Sequence, residues 1–256
     1  MVEKANEPRV DTTLSKGLAI LEALAFAKEA RGVTELSTEL GLTKSNTFRL
    51  LRTLKTLGYV KHNENKTYSA TLKAWQIGRH TIEGLNLREL SLPEMNLLSS
   101  ETGETIYLAV PDNLSVIYIN KIDGLKPIRS WNPVGGSAPL HCVGTGKAIL
   151  AANYDQLRSA LKGNLLRYTD KTITSMKRLD ADIELTTKRG YAFDRGEYRE
   201  RIISLGAAIY LPDGEAIAAL GLSLPDVNLQ GRGRSTLGKL VADAAAGVSE
   251  KIASSA

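Results

Sequence analysis

The sequence predicts an α+β protein in which a basic, helical N-terminal third precedes an antiparallel sheet flanked by helices. Apolar residues recur at helical spacing in the first third, and after Gly103 they follow the shorter period of β-strands. The formal net charge of +5 is unevenly placed: residues 1–80 hold 13 Lys+Arg against 8 Asp+Glu, whereas residues 81–256 hold 20 of each. This asymmetry favours a polyanion partner for the N-terminal part, with a solvated basic face as the alternative.

The length of 256 residues suits one large domain or two ordinary ones. No run approaches the roughly 20 apolar residues of a membrane span, and the segment MVEKANEPRVDTT lacks the apolar core of a signal peptide. We therefore expect a cytoplasmic protein without membrane contact. Cys142 is the single cysteine, so an intrachain disulfide is excluded, which fits a reducing compartment.

Three helices are predicted before residue 60. The first covers residues 13–30, and the second is short and begins with Thr34 as its N-cap. Gly41 supplies the left-handed residue that ends the second helix. Thr43 caps the third helix, and Gly58 ends it.

The third helix divides into an apolar stripe and a polar face, and a short hairpin follows it. The stripe consists of Thr47, Leu50, Leu51, Leu54 and Leu57. Two β-prone pairs, at 59–60 and 67–68, flank the turn-prone residues 63–66. Three helices with a tight second turn and a following hairpin predict a winged helix-turn-helix, with a helical hairpin carrying a solvated basic face as the alternative.

The polar face of the third helix suits contact with DNA. In a helix-turn-helix the second helix of the pair enters the major groove, led by its N-terminal residues. Arginine can read guanine with two hydrogen bonds, and asparagine can read adenine in the same way. The candidate contacts on this helix and on the hairpin are Thr43, Lys44, Ser45, Asn46, Phe48, Arg49, Arg52, Lys61 and Lys66.

The remaining chain is predicted to form a linker helix and an α+β domain. The predicted domains are residues 1–72, a linker at 73–90 with a break near Gly84, and residues 91–256. Helices are expected at 87–102, after the glycine-rich loop at 143–146, at 175–188 and at about 235–252. Strands are expected at 105–110, 115–119, 128–131, 191–194, 204–211 and 216–224.

Ordered motifs in both parts carry a family resemblance. The N-terminal motifs are GLAILE at 17–22, GLTKSNTFRLL at 41–51 and GYV at 58–60. The C-terminal motifs are TGET at 102–105, PLH at 139–141, GTGKAILA at 144–151 and GYAFD at 190–194. Together they resemble the isocitrate-lyase-regulator (IclR) family of transcriptional regulators. The resemblance implies a winged helix-turn-helix, an interdomain helix and a GAF-like effector domain that binds small metabolites. The family usually has threonine and a small apolar residue where this chain has Asn46 and Thr47, a difference that concerns the operator sequence.

The resemblance also implies an effector pocket. Its candidate residues are Ser130, Trp131, Ala138, Gly144, Thr145, Gly146, Asp194, Ser204, Gly221 and Ser223. Ser204 stands where the family often has cysteine. Backbone amides at the helix start near Gly144 suit an anion such as a carboxylate, although a turn that packs the helix on the sheet explains the glycines equally well.

The chemistry of these residues favours a particular class of effector. Asp194 would repel a carboxylate, so it should accept a hydrogen bond from a hydroxyl or hydrate elsewhere on the ligand. Small residues at 130, 138 and 221, with Trp131 nearby, favour a ligand larger than a two-carbon acid. We therefore expect a hydroxy, oxo or aromatic acid.

No catalytic, metal or cofactor site is predicted. The segment at 144–147 is not a phosphate-binding loop, because the Walker pattern needs glycine and Ser or Thr where His141 and Ala148 stand. Three histidines and one cysteine give no metal-ligand spacing. The rival hypothesis is an enzyme with a DNA-binding appendage that uses Lys147, Asp194 and His141, and it lacks any nucleophile–base spacing.

The sequence therefore predicts a ligand-responsive transcriptional regulator. Its partners would be double-stranded palindromic operator DNA, a small carboxylic acid and further copies of itself, as a homodimer or a dimer of dimers. A dimer is expected because two recognition helices must match two half-sites, roughly one helical turn or a multiple apart. A structural DNA-binding protein is disfavoured because the C-terminal part carries no net charge.

The charge partition makes a prediction about DNA binding. Affinity of the full chain should fall by at least about tenfold between about 50 and 200 mM salt, because several phosphates are neutralised by the basic residues. A fragment spanning residues 90–256 should not bind DNA in the same electrophoretic or anisotropy assay. DNA binding by that fragment would contradict the assignment.

Overall fold

The computed structural model describes residues 11–82, 86–128, 132–229 and 233–255. The chain divides into two compact units, Met1–Leu85 and Asn86–Ala256. Each unit has its own apolar core.

The first unit contains four helices and a two-stranded hairpin among its described residues. Its elements are α1 (Thr12–Ala25), α2 (Val33–Glu39), α3 (Lys44–Thr56), β1 (Val60–His62), β2 (Tyr68–Ala70) and α4 (Lys73–Ile82). The strands β1 and β2 pair antiparallel, with Lys61 opposite Ser69. The order of three helices and a hairpin is the predicted winged helix-turn-helix.

Local side chains and glycines set the helix ends. Thr43 caps α3, since its hydroxyl accepts a hydrogen bond from the amide of Asn46 at 3.3 Å. Gly41 and Gly58 have φ of 62° and 81°, where glycine avoids the Cβ strain of other residues. Asp11 caps α1, for which no cap was predicted, and α2 starts after Gly32 without the predicted Thr34 cap.

Two of the predicted helical features are corrected by the structure. Helix α1 ends at Ala25 rather than near residue 30. The apolar stripe of α3 is buried through Leu54, but Leu57 at its end is half exposed. The core of this unit is formed by Ile20, Leu24, Leu36, Leu50, Leu51, Leu54, Val60 and Tyr68.

Helix α4 is anchored to the C-terminal end of α3. The ammonium of Lys73 donates to the carbonyl of Leu57 at 2.6 Å, and the Thr71 hydroxyl donates to the carbonyl of Gly58 at 2.6 Å. These bonds satisfy carbonyls that the end of α3 leaves free.

The second unit is an antiparallel sheet with helices on both faces. Its helices are α5 (Leu87–Thr102), α6 (Gly144–Ala152), α7 (Tyr154–Leu161), α8 (Met176–Arg189) and α9 (Arg234–Ser255). Its strands are β3 (Thr105–Asp112), β4 (Ser115–Ile122), β5 (Ser137–Pro139), β6 (Ala192–Asp194), β7 (Ile202–Tyr210) and β8 (Ala216–Pro225). The strand order is β5-β4-β3-β8-β7-β6, and neighbours pair antiparallel.

The two faces of this sheet bury different side chains. Large aliphatic residues of β7 and β8, such as Leu205 and Leu222, pack with α5 and α9. The opposite face meets α6, and small residues line it there. Period-two alternation along each strand produces this division.

The sheet register aligns two rows of residues on the face that meets α6. In one row, Asp194 pairs with Ser204, Ser204 with Ser223, and Ser223 with Thr105. In the parallel row, Gly206 pairs with Gly221, which itself lies opposite Tyr107. Residues from four strands thus lie side by side beneath the start of α6.

Helix α6 approaches β7 and β8 closely because glycines occupy the contact. A Cβ at Gly144 would lie 2.7 Å from the carbonyl carbon of Leu205, and one at Gly221 would lie 2.6 Å from the carbonyl oxygen of Leu205. A Cβ at Gly206 would overlap the backbone of Gly144. These distances are below van der Waals contact, so glycine is required for this packing.

Some elements of the second unit differ from the prediction or lie outside the described residues. Helix α5 passes through Pro93 without a break. The short strand β5 and helix α7 had no counterpart in the prediction. Residues 129–131 of the strand expected at 128–131, and the break expected at Gly84, lie outside the described residues. Among the described residues, no helix combines the length and the apolar character that spanning a membrane requires.

Candidate functional site

The predicted DNA-contact residues lie on the exposed side of α3 and on the hairpin. Thr43, Lys44, Ser45, Phe48, Arg49 and Arg52 are exposed, and Asn46 is partly buried. Phe48 keeps 53% of its surface accessible, which is unusual for a phenylalanine in a helix whose other face forms a core. The first turn of α3 also presents free amides, which favour phosphate.

Two of the candidate base-reading side chains are linked. The guanidinium of Arg49 donates to Oδ1 of Asn46 at 3.1 Å, one turn apart on α3. This bond holds the arginine along the helix surface, so the pair presents donors together at the start of the helix. Lys61 on β1 and Lys66 in the turn are exposed, and Lys66 has φ of 62°.

A pocket with a cavity volume of about 20 Å³ and an open mouth lies between α6 and the sheet. Its described lining is Tyr107, Tyr118, Asn132, Val143, Thr145, Asp194, Tyr198, Arg199, Ile202, Ser204, Leu205, Gly221, Leu222 and Ser223. The lining mixes apolar walls with convergent polar groups, as small-molecule sites do.

A chain of hydrogen bonds connects α6 to Asp194 at the pocket. The amide of Gly144 donates to Oγ of Ser204 at 2.9 Å, and Ser204 donates to Oδ2 of Asp194 at 2.8 Å. The other oxygen of Asp194 accepts from the amides of Gly196 and Glu197 at 2.8 and 2.7 Å. The carboxyl group of Asp194 is therefore fixed in orientation.

Burial raises the pKa of Asp194 to about 7, with the charge of Glu197 adding to the effect, while its hydrogen bonds and Lys147 oppose the increase. Asp194 can therefore change protonation near neutral pH. The folded chain retains this proton between pH 3.8 and about 7, where the unfolded chain has lost it. The contribution of Asp194 to stability thus falls as pH rises through that window.

The structure brings part of the predicted effector set together. Thr145, Asp194, Ser204, Gly221 and Ser223 line the pocket. Their role in binding an effector stays a prediction. Ser130 and Trp131 lie outside the described residues.

Three predicted residues do not line this pocket. Ala138 is buried on β5 opposite Val116, in the apolar cluster beside the pocket. Gly144 and Gly146 allow close packing against Leu205 and Leu140. Because the amide of Gly144 already bonds to Ser204, the glycines serve packing rather than an open anion site at that amide.

Several residues that line the pocket were not predicted from the sequence, among them Asn132, Tyr198 and Arg199. Tyr107 is buried and also lines the pocket, where its hydroxyl accepts a hydrogen bond from the amide of Asn132 at 2.9 Å. Because side chains alternate between the two faces of a strand, the sequence places Tyr107 on the same face of the sheet as Thr105. The sequence does not reveal that Tyr107 pairs with Gly221 on the neighbouring strand.

The residues of the rival enzyme hypothesis are not assembled at the pocket. Lys147 is fully buried in ion pairs with Asp182 and Glu197. The ring Nε2 of His141 lies 3.0 Å from the carbonyl of Leu166. Of these three residues only Asp194 lines the pocket. Within the described ranges, no group of three or more His, Cys, Asp or Glu residues is placed to hold a metal ion.

Comparison with known families gives two matches that together span most of the chain. Residues 13–64 match the IclR helix-turn-helix domain, and residues 79–250 match the C-terminal domain of IclR-type bacterial transcriptional regulators. The HTH-type transcriptional regulator KdgR of Escherichia coli K12 is 34% identical over 222 residues, which covers 86% of this chain and 84% of that protein.

Solved structures show the same fold. The IclR structure of Thermotoga maritima has a TM-score of 0.78 and 26% identity, covering 94% of this chain and 98% of that one. An IclR homologue from Microbacterium hydrocarbonoxydans, solved in complex with 4-hydroxybenzoate, has a TM-score of 0.82 and 19% identity, covering 95% of this chain and 100% of that one.

The geometry of α3 predicts the effect of removing Arg49. Arg49→Ala should cost about 1–3 kcal/mol of binding to an operator fragment that the wild type selects from random DNA, because a base-directed guanidinium is lost. Fluorescence anisotropy measures this change. Lys16→Ala, which removes one exposed positive charge from α1, is the matched control and should have a small effect. Equal affinities for the Arg49 variant and the wild type, with helical content intact, would refute the docking through α3.

Proposed function

The chain belongs to the IclR family of transcriptional regulators, and from this premise we propose how it works as a ligand-responsive DNA-binding protein. Paired copies bind a palindromic operator through α3, with Lys61 and Lys66 of the hairpin on the flanking backbone. A small hydroxy, oxo or phenolic acid binds in the pocket beneath α6 and changes operator affinity. The observation that carries the proposal is the polar row of Asp194, Ser204 and Ser223 that faces this pocket.

Exposed leucines on α1 support pairing of the DNA-binding units. Leu14 and Leu18 lie one turn apart and keep 63% and 49% of their surface accessible. They face away from the core that Ile20 and Leu24 enter. An apolar stripe on a helix end is suited to pack against its equivalent in a second copy. We propose this pairing for a homodimer, from which a dimer of dimers can be built.

The polar lining supports an effector with both acidic and hydrogen-bonding groups. Asp194, Ser204 and Ser223 supply donors and acceptors from the sheet, and Tyr107 and Tyr118 add hydroxyls from the neighbouring strands. A ligand hydroxyl or oxo group can exchange hydrogen bonds with these residues, whereas a plain hydrocarbon chain can form none.

The ligand carboxylate is better placed at Arg199 than at the start of α6. Arg199 lines the pocket, and its guanidinium lies 5.5 Å from the ring centre of Tyr198. Arginine binds carboxylates with two parallel hydrogen bonds. The amide of Gly144 is bonded to Ser204. The 4-hydroxybenzoate bound by the structural neighbour has this combination of a carboxylate and a hydroxyl.

Effector control follows from differential affinity. A ligand changes operator binding only if it binds two conformations of the protein with different affinity. The contact between α6 and β7 is the element that such a ligand would bias, since the pocket lies beside it.

The pairing proposal is tested by charging the exposed stripe. Leu14→Glu with Leu18→Glu should lower operator affinity by at least about tenfold, because the two recognition helices lose their register. Sedimentation should show weaker self-association. Leu185→Glu on α8, a leucine of similar exposure in the other unit, is the matched control. Normal self-association and operator affinity in the double variant would rule out α1 as the pairing surface.

The effector proposal is tested by titration calorimetry with lactate, pyruvate, gluconate and 4-hydroxybenzoate, and with hexanoate as the plain acid. We expect binding of at least one of the first four and no binding of hexanoate. Asp194→Ala and Ser204→Ala should each weaken that binding by about tenfold or more, since each removes a buried hydrogen-bonding group.

The control for these variants is Ser100→Ala, which removes an exposed hydroxyl on α5. Melting temperatures establish that the variants are folded. Wild-type affinity in both pocket variants would place the effector elsewhere. A compound that binds should also change the affinity for operator DNA in the full chain.

A further inference from the structure

A buried cluster of charges lies directly behind the pocket. Lys147 on α6 is fully buried, and its ammonium lies 2.6 Å from Oε2 of Glu197 and 2.9 Å from Oδ2 of Asp182. The carbonyl of Phe193 is 3.4 Å from the same ammonium. Burying a lysine is costly unless its charge is paired, so this position demands its acidic partners.

The cluster connects to Asp194 through the turn at residues 194–197. The side chain of Glu197 pairs with Lys147, and the backbone amide of Glu197 donates to Asp194 at 2.7 Å. Thr172 fixes the same turn from the other side, because its hydroxyl donates to the carbonyl of Glu197 at 2.6 Å. A shift of the Glu197 side chain therefore moves the Glu197 backbone amide, which donates a hydrogen bond to the Asp194 carboxylate.

The cluster does not line the effector pocket. Lys147, Glu197 and Asp182 are absent from the pocket wall, whereas Asp194 and Ser204 form part of it. Glu197 and Asp182 instead line a groove on the outer side, together with Arg178 of α8. Asp194 is thus the link between the charged cluster and the ligand space.

We propose that Lys147 and Glu197 are positioning residues that hold Asp194 in place and decide whether it offers the effector a proton or a lone pair. This inference deepens the proposed function and rests on it for the identity of the pocket. Neither residue touches the effector. Both act through the turn and through their charges.

The charges around Asp194 support this assignment. The titratable or charged groups that face it are Lys147 on α6, Tyr118 on β4, Cys142 before α6, and Glu197, Tyr198 and Arg199 after β6, with Asp182 of α8 beyond Glu197. Burial raises the pKa values of Tyr118 and Cys142 well above their ordinary values, so both stay neutral. Burial has the largest effect on the pKa of Asp194, and the charges of Glu197 and Lys147 act on it in opposite directions.

The experiment is a carbon-13 NMR titration of the full chain labelled at the aspartate carboxyl carbons. The Asp194 signal is assigned by its loss in Asp194→Asn. Glu197→Gln keeps the backbone amide and an oxygen for Lys147 but removes the negative charge. It should lower the titration midpoint of Asp194 by about one pH unit. Lys147→Met should raise the midpoint. Glu200→Gln, an exposed neighbour in the same segment, should leave it unchanged.

Calorimetry across the same pH range then connects the titration to binding. Of lactate, pyruvate, gluconate and 4-hydroxybenzoate, those that bind the wild type should show a pH profile whose midpoint moves with the NMR midpoint in Glu197→Gln. A structural role alone would lower the melting temperature without moving either midpoint.

The outcomes are separable. An unmoved Asp194 midpoint in folded Glu197→Gln overturns the inference, as does a moved midpoint that leaves the pH profile of binding in place. If none of the four compounds binds the wild type, the proposed effector class fails, and the NMR titration alone decides whether Glu197 and Lys147 control Asp194. If Lys147→Met does not fold, Glu197→Gln remains decisive.

Discussion

The close approach of α6 to strands β7 and β8 is the constraint on which the second unit depends. Gly144 and Gly206 meet backbone to backbone, at a separation that a Cβ on either residue would prevent. This approach brings the amide of Gly144 to Ser204 and places Thr145 in the pocket wall. It also carries Lys147, one turn along α6, into the interior beside Glu197. The helix-to-sheet packing, the pocket wall and the position of the buried charges therefore all depend on this close approach of α6 to the sheet.

Lys147 pairs with Glu197 and Asp182 inside the second unit, and this cluster also lies next to Asp194, which lines the pocket. Removing a lysine, a glutamate and an aspartate from water costs several kcal/mol for each ion, and mutual attraction repays this only with good geometry. Here one ammonium lies 2.6 and 2.9 Å from two carboxylates and 3.4 Å from a carbonyl, without hydrogen-bond geometry to Oδ2 of Asp182 or Oε2 of Glu197. Asp194 lies at the edge of the cluster, and its pKa of about 7 reflects burial together with the negative charge of Glu197. A carboxyl group of this kind suits a site that must respond to a ligand near neutral pH.

The first unit has a simpler organisation than the second. Its core is one apolar cluster, and the exposed side of α3 is left free for contacts outside the molecule. Asn46 and Arg49 bond to each other, which limits the side-chain freedom that would be lost on binding. The bonds from Thr71 and Lys73 tie α4 to the end of α3, so the recognition helix is supported at both its cap and its last turn.

Sequence alone determined what depends on local order: the helix-turn-helix and hairpin, the positions of most strands, and the charge partition between the two parts. Caps, glycines and periodicity act over a few residues, and they are visible in the chain. The family motifs added Asp194, Ser204, Gly221 and Ser223, all of which line the pocket. Only the tertiary structure decided that Gly144 and Gly146 serve packing, that Ala138 lies outside the pocket, and that Lys147 pairs with Glu197 and Asp182. Those facts depend on strand register and on the helix-to-sheet distance, which join residues 35 and 50 positions apart in the chain and leave no periodic trace in it.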